Sequence, residues 1–401
     1  MSNIILNAGR LSIVTIAVML VGACNKLNEP VPYTPYSEGD VANTLAKKIA
    51  ANSSYSIFNT ALVRAGLNTT LDVANANFTV FAPDNTAMTA SGLSLTVVNA
   101  LPVATLTSLL NYHIIPGERI AAAQIPETFP NVEKKSKLDI VTTAFIPSIP
   151  TTAVPIKMSI FPSRRGAAAW ANNVPVTGAD VITGSNGIVH RVATAIAPPT
   201  RVLLDTIARD PDFAYLVAAV LRADSGLLAT STTSLQYALA QPFANLTVFA
   251  PTNAAFQATL TAAITQALVL QNVPLATAQA QAAALAATPA VFSTPALYPV
   301  LTAAVVRGIV AYHVMGTRAF SVNFGATAAN YPTLINASIP SHPGVGVSST
   351  LVTGLGVGLS VKGVGNATAA TAAGASPTNP QVDRMAVNGV FFKINQVLLP
   401  Q

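Results

Sequence analysis

Apolar positions in the first third of the chain recur at helical spacing. Ile57, Phe58, Ala61, Leu62 and Ala65 share one helical face, and Gly66 marks the stop. A similar pattern returns later. Val202, Leu203 and Ile207, then Phe213, Leu216, Val217, Val220 and Leu221, predict two helices. Asp210-Pro211 supplies a cap and a first-turn proline to the second of them. Thr79-Val80-Phe81 is a short β-rich run ended by Pro83, and Asp84 is placed to cap a following helix. Apolar helical stretches over Val103–Leu110 and Val300–Val310 lead into Tyr112-His113 and Tyr312-His313. Beyond each pair come Val-, Ile- and Thr-rich segments broken by Pro, Gly and Asn, which predict strands and turns. Asn186-Gly187 and Asn388-Gly389, each followed by an apolar run, have the form of a hairpin turn.

These elements come twice. Asn77-Phe78-Thr79-Val80-Phe81-Ala82-Pro83-Asp84-Asn85 returns as Asn245-Leu246-Thr247-Val248-Phe249-Ala250-Pro251-Thr252-Asn253. The Tyr-His pairs and the Asn-Gly blocks follow in the same order. The repeat is much longer than a solenoid unit of about 20–50 residues, so each copy is expected to be a domain with its own core. The expected boundaries are 38–198 and 199–401, joined at the stiff Pro198-Pro199 pair, which restricts the angle between them. The copies are unequal: 24 positions separate Met88 from Tyr112, and 56 separate Phe256 from Tyr312. Ala- and Gln-rich sequence around 259–298 accounts for the difference and predicts an added helix. Lys362–Pro380, rich in Gly, Ala, Thr and Asn, is the expected mobile loop.

Composition narrows the class. Charged residues are 9% of the chain, against a typical value of about 25%, while 51% are hydrophobic. That excludes disorder, which needs low hydrophobicity and high charge. The net charge is +6, and its densest basic clusters, Lys134-Lys135-Ser136-Lys137 and Arg164-Arg165, lack the interleaved aromatics on which bases stack, so no nucleic-acid partner is expected. At the N-terminus, Arg10 precedes the apolar stretch Leu11–Leu20, too short for a membrane-spanning helix and of the form of a secretory signal. The only cysteine, Cys24, follows Val21-Gly22-Ala23 and permits no internal disulfide. This resembles a bacterial lipoprotein signal. The resemblance implies removal of residues 1–23, lipid modification of Cys24, and a tether over 24–37. The absence of an acidic residue after Cys24 implies, by the same resemblance, the outer membrane as the address.

The repeated blocks resemble the fasciclin domain, a cell-surface adhesion module. Phe78–Asn85 and Leu246–Asn253 carry its first motif, and Tyr112-His113 and Tyr312-His313 the second. Asn388-Gly389-Val390 through Val397-Leu398-Leu399-Pro400 matches the closing strand. The first copy departs there, running through Ala195-Ile196-Ala197-Pro198. The resemblance implies an α+β fold of two tandem modules, each a β-sandwich-like wedge with packed helices. It also implies adhesion or protein–protein interaction at a cell surface, with a surface protein or polysaccharide as ligand.

Candidate chemistry is sparse. Of the histidines, His113 and His313 are repeat equivalents, His190 aligns with Phe392, and His342 lies in a Pro-flanked loop. No HExxH, CxxC or paired-His spacing appears, so neither a metal nor another cofactor is expected. Thr183-Gly184-Ser185-Asn186-Gly187 lacks the first glycine of a nucleophile elbow, and no enzyme is expected, a hydrolase being the remote alternative. Two readings of Tyr112, His113, Tyr312 and His313 remain open: buried rings tying a helix end to a strand, or an adhesion contact. For a glycan-binding alternative, the single tryptophan, Trp170, is the candidate exposed platform in a loop-like setting.

Overall fold

The computed structural model describes residues 38–127, 129, 131–140, 155–352, 355–373, 375–376, 379–380 and 382–401. The expected signal segment, Cys24 and the tether lie outside them. The first copy opens with helices Leu45–Ala50 and Ser56–Arg64. The second of these stops at Gly66, whose φ of +69° suits glycine. Strand β1 (Phe78–Pro83) follows, then helices Asn85–Ala90, Leu95–Ala100 and Val103–Tyr112. The strands β2 (Ile114–Pro116), β3 (Lys134–Ile140), β4 (Ile156–Ile160), β5 (Pro162–Arg165), β6 (Ala168–Ala171), β7 (Val174–Gly184) and β8 (Gly187–Val192) complete it.

The second copy repeats the plan. Helices Leu203–Ala208, Ala214–Ala223 and Leu235–Ala240 precede β9 (Leu246–Pro251). Helices Asn253–Leu270 and Leu275–Leu285 then pack against each other, and helix Ala303–Tyr312 leads to β10 (Val314–Met315). Strands β11 (Ala329–Tyr331), β12 (Val345–Val352), β13 (Leu355–Lys362) and β14 (Ala370–Ala373) form a separate sheet. After the short pair β15 (Ala375–Ser376) and β16 (Asn379–Pro380), β17 (Arg384–Ala386) and β18 (Gly389–Ile394) close the chain. Strands and helices alternate in blocks around mixed sheets, which makes the fold α+β.

The sheet order explains why the same blocks recur. The main sheets run β2-β1-β8-β7-β6-β5 and β10-β9-β18-β17. In each, the Thr-Val-Phe-Ala-Pro strand lies between an antiparallel neighbour after the Tyr-His pair and a parallel neighbour after the Asn-Gly pair. Val80 is opposite Val189 and Val248 opposite Phe391. All six residues of β1 and of β9 are buried, so they read as continuous apolar runs without alternation. The caps also recur. The Asp84 carboxylate accepts from the Ala87 N–H, and the Thr252 hydroxyl from the Ala255 N–H.

Three expectations are corrected. The hairpin turns consist of Ser185-Asn186 and Val387-Asn388, and neither these residues nor the following glycines have positive φ. Gly187 and Gly389 begin their strands instead. They are needed because a Cβ would lie 2.3 Å from the Phe78 carbonyl oxygen and 2.5 Å from that of Leu246. The Lys362–Pro380 region is not a loop throughout, since Ala370–Ala373 pairs with β13 and Gly365 backs onto the carbonyl of Gln401. Trp170 is on strand β6 rather than in a loop.

The two copies also share apolar contacts. Phe161 and Trp170 of the first copy belong to the same buried cluster as Phe249, Phe320 and Phe392 of the second. Val387 in turn joins the cluster of Phe81, Tyr112 and Val192. Arg318, 4% exposed, spans the contact: it donates through Nη2 to the Val387 carbonyl at 2.9 Å and lies 4.9 Å over the Phe161 ring.

Candidate functional site

Each Tyr-His pair ends a helix whose apolar face is buried, and each histidine is the C-cap. At that position the last helical carbonyls need donors. His113 Nδ1 donates to the Leu109 carbonyl at 2.8 Å, while its Nε2 accepts from the Ile196 N–H at 2.9 Å. His313 repeats this with the Ile309 carbonyl at 2.7 Å and the Leu398 N–H at 2.8 Å. A carbonyl can only accept and an N–H only donate, so each ring is the neutral tautomer with hydrogen on Nδ1. Burial pushes both imidazoles down to about 4, against a partial upward pull from the helical carbonyl. Each ring therefore stays uncharged at neutral pH.

The tyrosines point to the other side. The Tyr112 hydroxyl donates to the Ser159 carbonyl and accepts from the Asn172 amide at 3.1 Å. The Tyr312 hydroxyl donates to the Gly344 carbonyl at 2.7 Å and accepts from the Val364 N–H at 3.1 Å. All four side chains are at most 1% exposed. Their polar groups are spent on internal bonds, and none reaches a surface where a partner could touch it.

Two further repeated residues act the same way, although their sequence pattern points only to a strand and a turn. Thr79 donates to the Glu118 carbonyl and accepts from the Ile120 N–H, and Thr247 does so with Thr317 and Ala319. Asn186 accepts from the Leu45 N–H and donates to the Leu71 and Val73 carbonyls. Asn388 accepts from the Leu203 N–H and donates to the Leu239 carbonyl. The signal available was that a threonine and an asparagine recur inside otherwise apolar blocks. A polar residue kept in such a place must have its own hydrogen-bond partners.

The remaining candidates are placed as follows. Trp170 is 1% exposed, so its ring is a core side chain and cannot serve as an exposed glycan platform. His190 is buried opposite Phe81, with Nε2 2.8 Å from the Ile120 carbonyl, and burial lowers its pKa. His342 bridges the Gly344 N–H and the Pro400 carbonyl. Ser185 sits in the β7–β8 turn, 7% exposed. Among the described residues there is no group of three His, Cys, Asp or Glu side chains that could hold a metal, and no helix long and apolar enough to cross a membrane.

The Fasciclin domain model matches residues 53–198. "Protein sll1483" of Synechocystis sp. (strain ATCC 27184 / PCC 6803 / Kazusa) is 30% identical over 162 residues, which is 40% of this chain and 76% of that protein. Among solved structures, the FAS1 domain pair from the insect cell adhesion molecule fasciclin I is matched over 88% of this chain and 95% of its own. That match has 14% identity and a TM-score of 0.32, too distant to bear on the details of the fold. A domain match that includes the first Tyr-His block and its buried network, together with this relative, identifies the chain as a member of the fasciclin-domain family.

Proposed function

We propose that the chain is a non-catalytic adhesion or protein-interaction protein built from two tandem fasciclin modules. In this reading it is held to the outer membrane by lipid on Cys24 and takes a surface protein as its ligand. The observation that carries the proposal is the fate of the repeated polar groups. Thr79, His113 and Asn186, with Thr247, His313 and Asn388, are at most 1% exposed and are bonded to backbone. A catalytic centre needs accessible groups with activated pKa values, whereas these are sequestered and neutral. What the family motif conserves between the copies is therefore scaffold, and binding falls to the outer surfaces. Burial of Trp170 removes the one residue that favoured a polysaccharide.

The test uses the full chain. Wild type and Cys24→Ala are expressed in a Gram-negative host, and the mature N-terminus is weighed by mass spectrometry. The proposal expects an acylated Cys24 in the outer-membrane fraction and release of the Cys24→Ala protein into a soluble fraction. Beads carrying the chain in a supported bilayer are then expected to capture protein from protease-sensitive cell surfaces. Capture that survives protease treatment of those surfaces but not removal of glycan would overturn the protein-ligand reading.

A further inference from the structure

The two copies hold one arginine in equivalent places but use it differently. Arg64, at the end of helix Ser56–Arg64, donates through both terminal amino groups, to the Val98 and Leu101 carbonyls. Its counterpart Arg222, near the end of helix Ala214–Ala223, keeps only a bond from Nε to the Leu301 carbonyl, at 2.9 Å. The rest of its guanidinium lies over the ring of Tyr298, 3.7 Å from the centroid. Tyr298 stands three residues before Leu301, as Val98 does before Leu101, so a ring in the second copy replaces a carbonyl contact in the first.

The turn Pro289–Ser293 builds a groove beside the arginine. It has a volume of about 410 Å³, and its lining includes Leu221, Ser225, Pro289, Ala290, Phe292 and Ser293. Leu221 is 55% exposed and Tyr298 38%. Arg222 is the only charged residue lining it. From Ser225 to Val306 the chain contains no Asp, Glu, Lys, Arg or His. Asp224, the nearest acid in sequence, is buried and engaged by Arg307 and by the Leu235 and Gln236 N–H groups. Among the described residues no carboxylate pairs with Arg222, and its terminal amino groups have no hydrogen-bond partner.

We propose that this groove of the second copy is a peptide-binding site that takes a carboxylate side chain on Arg222 and an adjoining apolar side chain against Leu221 and Phe292. A guanidinium held over an aromatic ring and anchored through Nε presents its terminal amino groups ready-ordered, and that fork matches a carboxylate in two parallel hydrogen bonds. The groove volume falls within the range of ligand pockets, about 300–1,000 Å³. An uncharged surround leaves the arginine as the sole electrostatic determinant, so the ligand is selected by one acidic group beside apolar surface. The proposal rests on the protein-interaction reading and names the chemistry of the partner segment.

The test measures fluorescence anisotropy of the labelled peptide acetyl-Gly-Ser-Leu-Phe-Asp-Ser-Gly-amide with the full chain, against the same peptide carrying Asn for Asp. The Asp peptide is expected to bind at least about tenfold more tightly, the size of one hydrogen-bonded charge. Arg222→Gln, which can still donate to the Leu301 carbonyl, should abolish that preference with unchanged circular dichroism. Tyr298→Ala, at a partly exposed position, should weaken the Asp peptide and serves if the first variant misfolds. Equal binding of the two peptides, no binding of either, or an undiminished preference in folded Arg222→Gln overturns the proposal. Bead capture by Arg222→Gln separates the two readings: capture equal to wild type leaves adhesion standing and removes this groove from it. Peptide binding with the stated dependence, in a chain whose beads capture nothing, does the reverse.

Discussion

At the residue scale, His113 and His313 couple the fold to pH. Each imidazole is held near 4, below its ordinary value of 6.5, because the charged form would be buried. Between those values the unfolded chain takes up a proton that the folded chain refuses. Stability is therefore full above pH 6.5 and declines as pH falls toward 4, by up to about 3 kcal/mol for each ring. Asp383 works in the opposite direction. Burial raises its carboxyl to about 6, although hydrogen bonds from the Ser321 N–H and hydroxyl favour the charged form. The folded state binds its proton first, so stability rises as pH falls from about 6 to 3.8 and offsets part of the loss. Urea midpoints measured from pH 8 to pH 4 should fall for wild type, and fall more steeply for Asp383→Asn. Asparagine tolerates the φ of 57° found at that position, so this variant isolates the titration. A flat profile in both proteins would show that the rings are not held neutral. Replacing His313 by Ala leaves the Ile309 carbonyl and the Leu398 N–H without their partner and should cost about 2–4 kcal/mol.

At the element scale, the parallel pairing of the first and last blocks of each copy is the joint on which the sheet depends. Gly187→Ala and Gly389→Ala push a methyl group into a carbonyl of the neighbouring strand. Each should lower stability by about 1–3 kcal/mol, with the Thr-Val-Phe-Ala-Pro strand losing amide-exchange protection. Gly308, inside helix Ala303–Tyr312 with open space around its Cβ position, is the matched control. Its replacement by Ala should be neutral or stabilise by up to about 1 kcal/mol. The same elements show how far sequence could be read. Helix Ser56–Arg64, both Thr-Val-Phe-Ala-Pro strands and the Tyr-His helix ends follow from local periodicity and capping. The long-range partners do not. Asn186 looks like a turn residue, because its bonds to Leu45, Leu71 and Val73 span more than a hundred positions. Trp170 likewise looks exposed beside Arg164-Arg165-Gly166, and only the partner core that covers it reveals otherwise.

At the scale of the whole molecule, the contact between the copies decides whether they unfold together. Two domains in one chain move independently by default unless their contact is large and apolar. Here a buried cluster draws Phe161 and Trp170 from the first copy and Phe249, Phe320 and Phe392 from the second. The Arg318 guanidinium is buried over Phe161, and its pKa is lowered to about 10 by desolvation. With Nε lacking a hydrogen-bond partner, that charge adds little net stability, so the rings should carry the docking. Trp170 is the only tryptophan and reports on the contact directly. In wild type, its emission should shift red at the same denaturant concentration at which far-ultraviolet circular dichroism is lost. Phe161→Ala removes a ring from the contact at a cost of about 3–5 kcal/mol. The fluorescence transition should then come first, with the second copy's helices persisting to higher denaturant. Arg318→Met, which keeps the side-chain length over Phe161 and drops the charge, should leave the two transitions together and the midpoint within about 1 kcal/mol of wild type or above it. If Arg318→Met separates the transitions while Phe161→Ala does not, the copies are joined by the buried guanidinium that reaches across to the first copy, and the rings are only its surroundings.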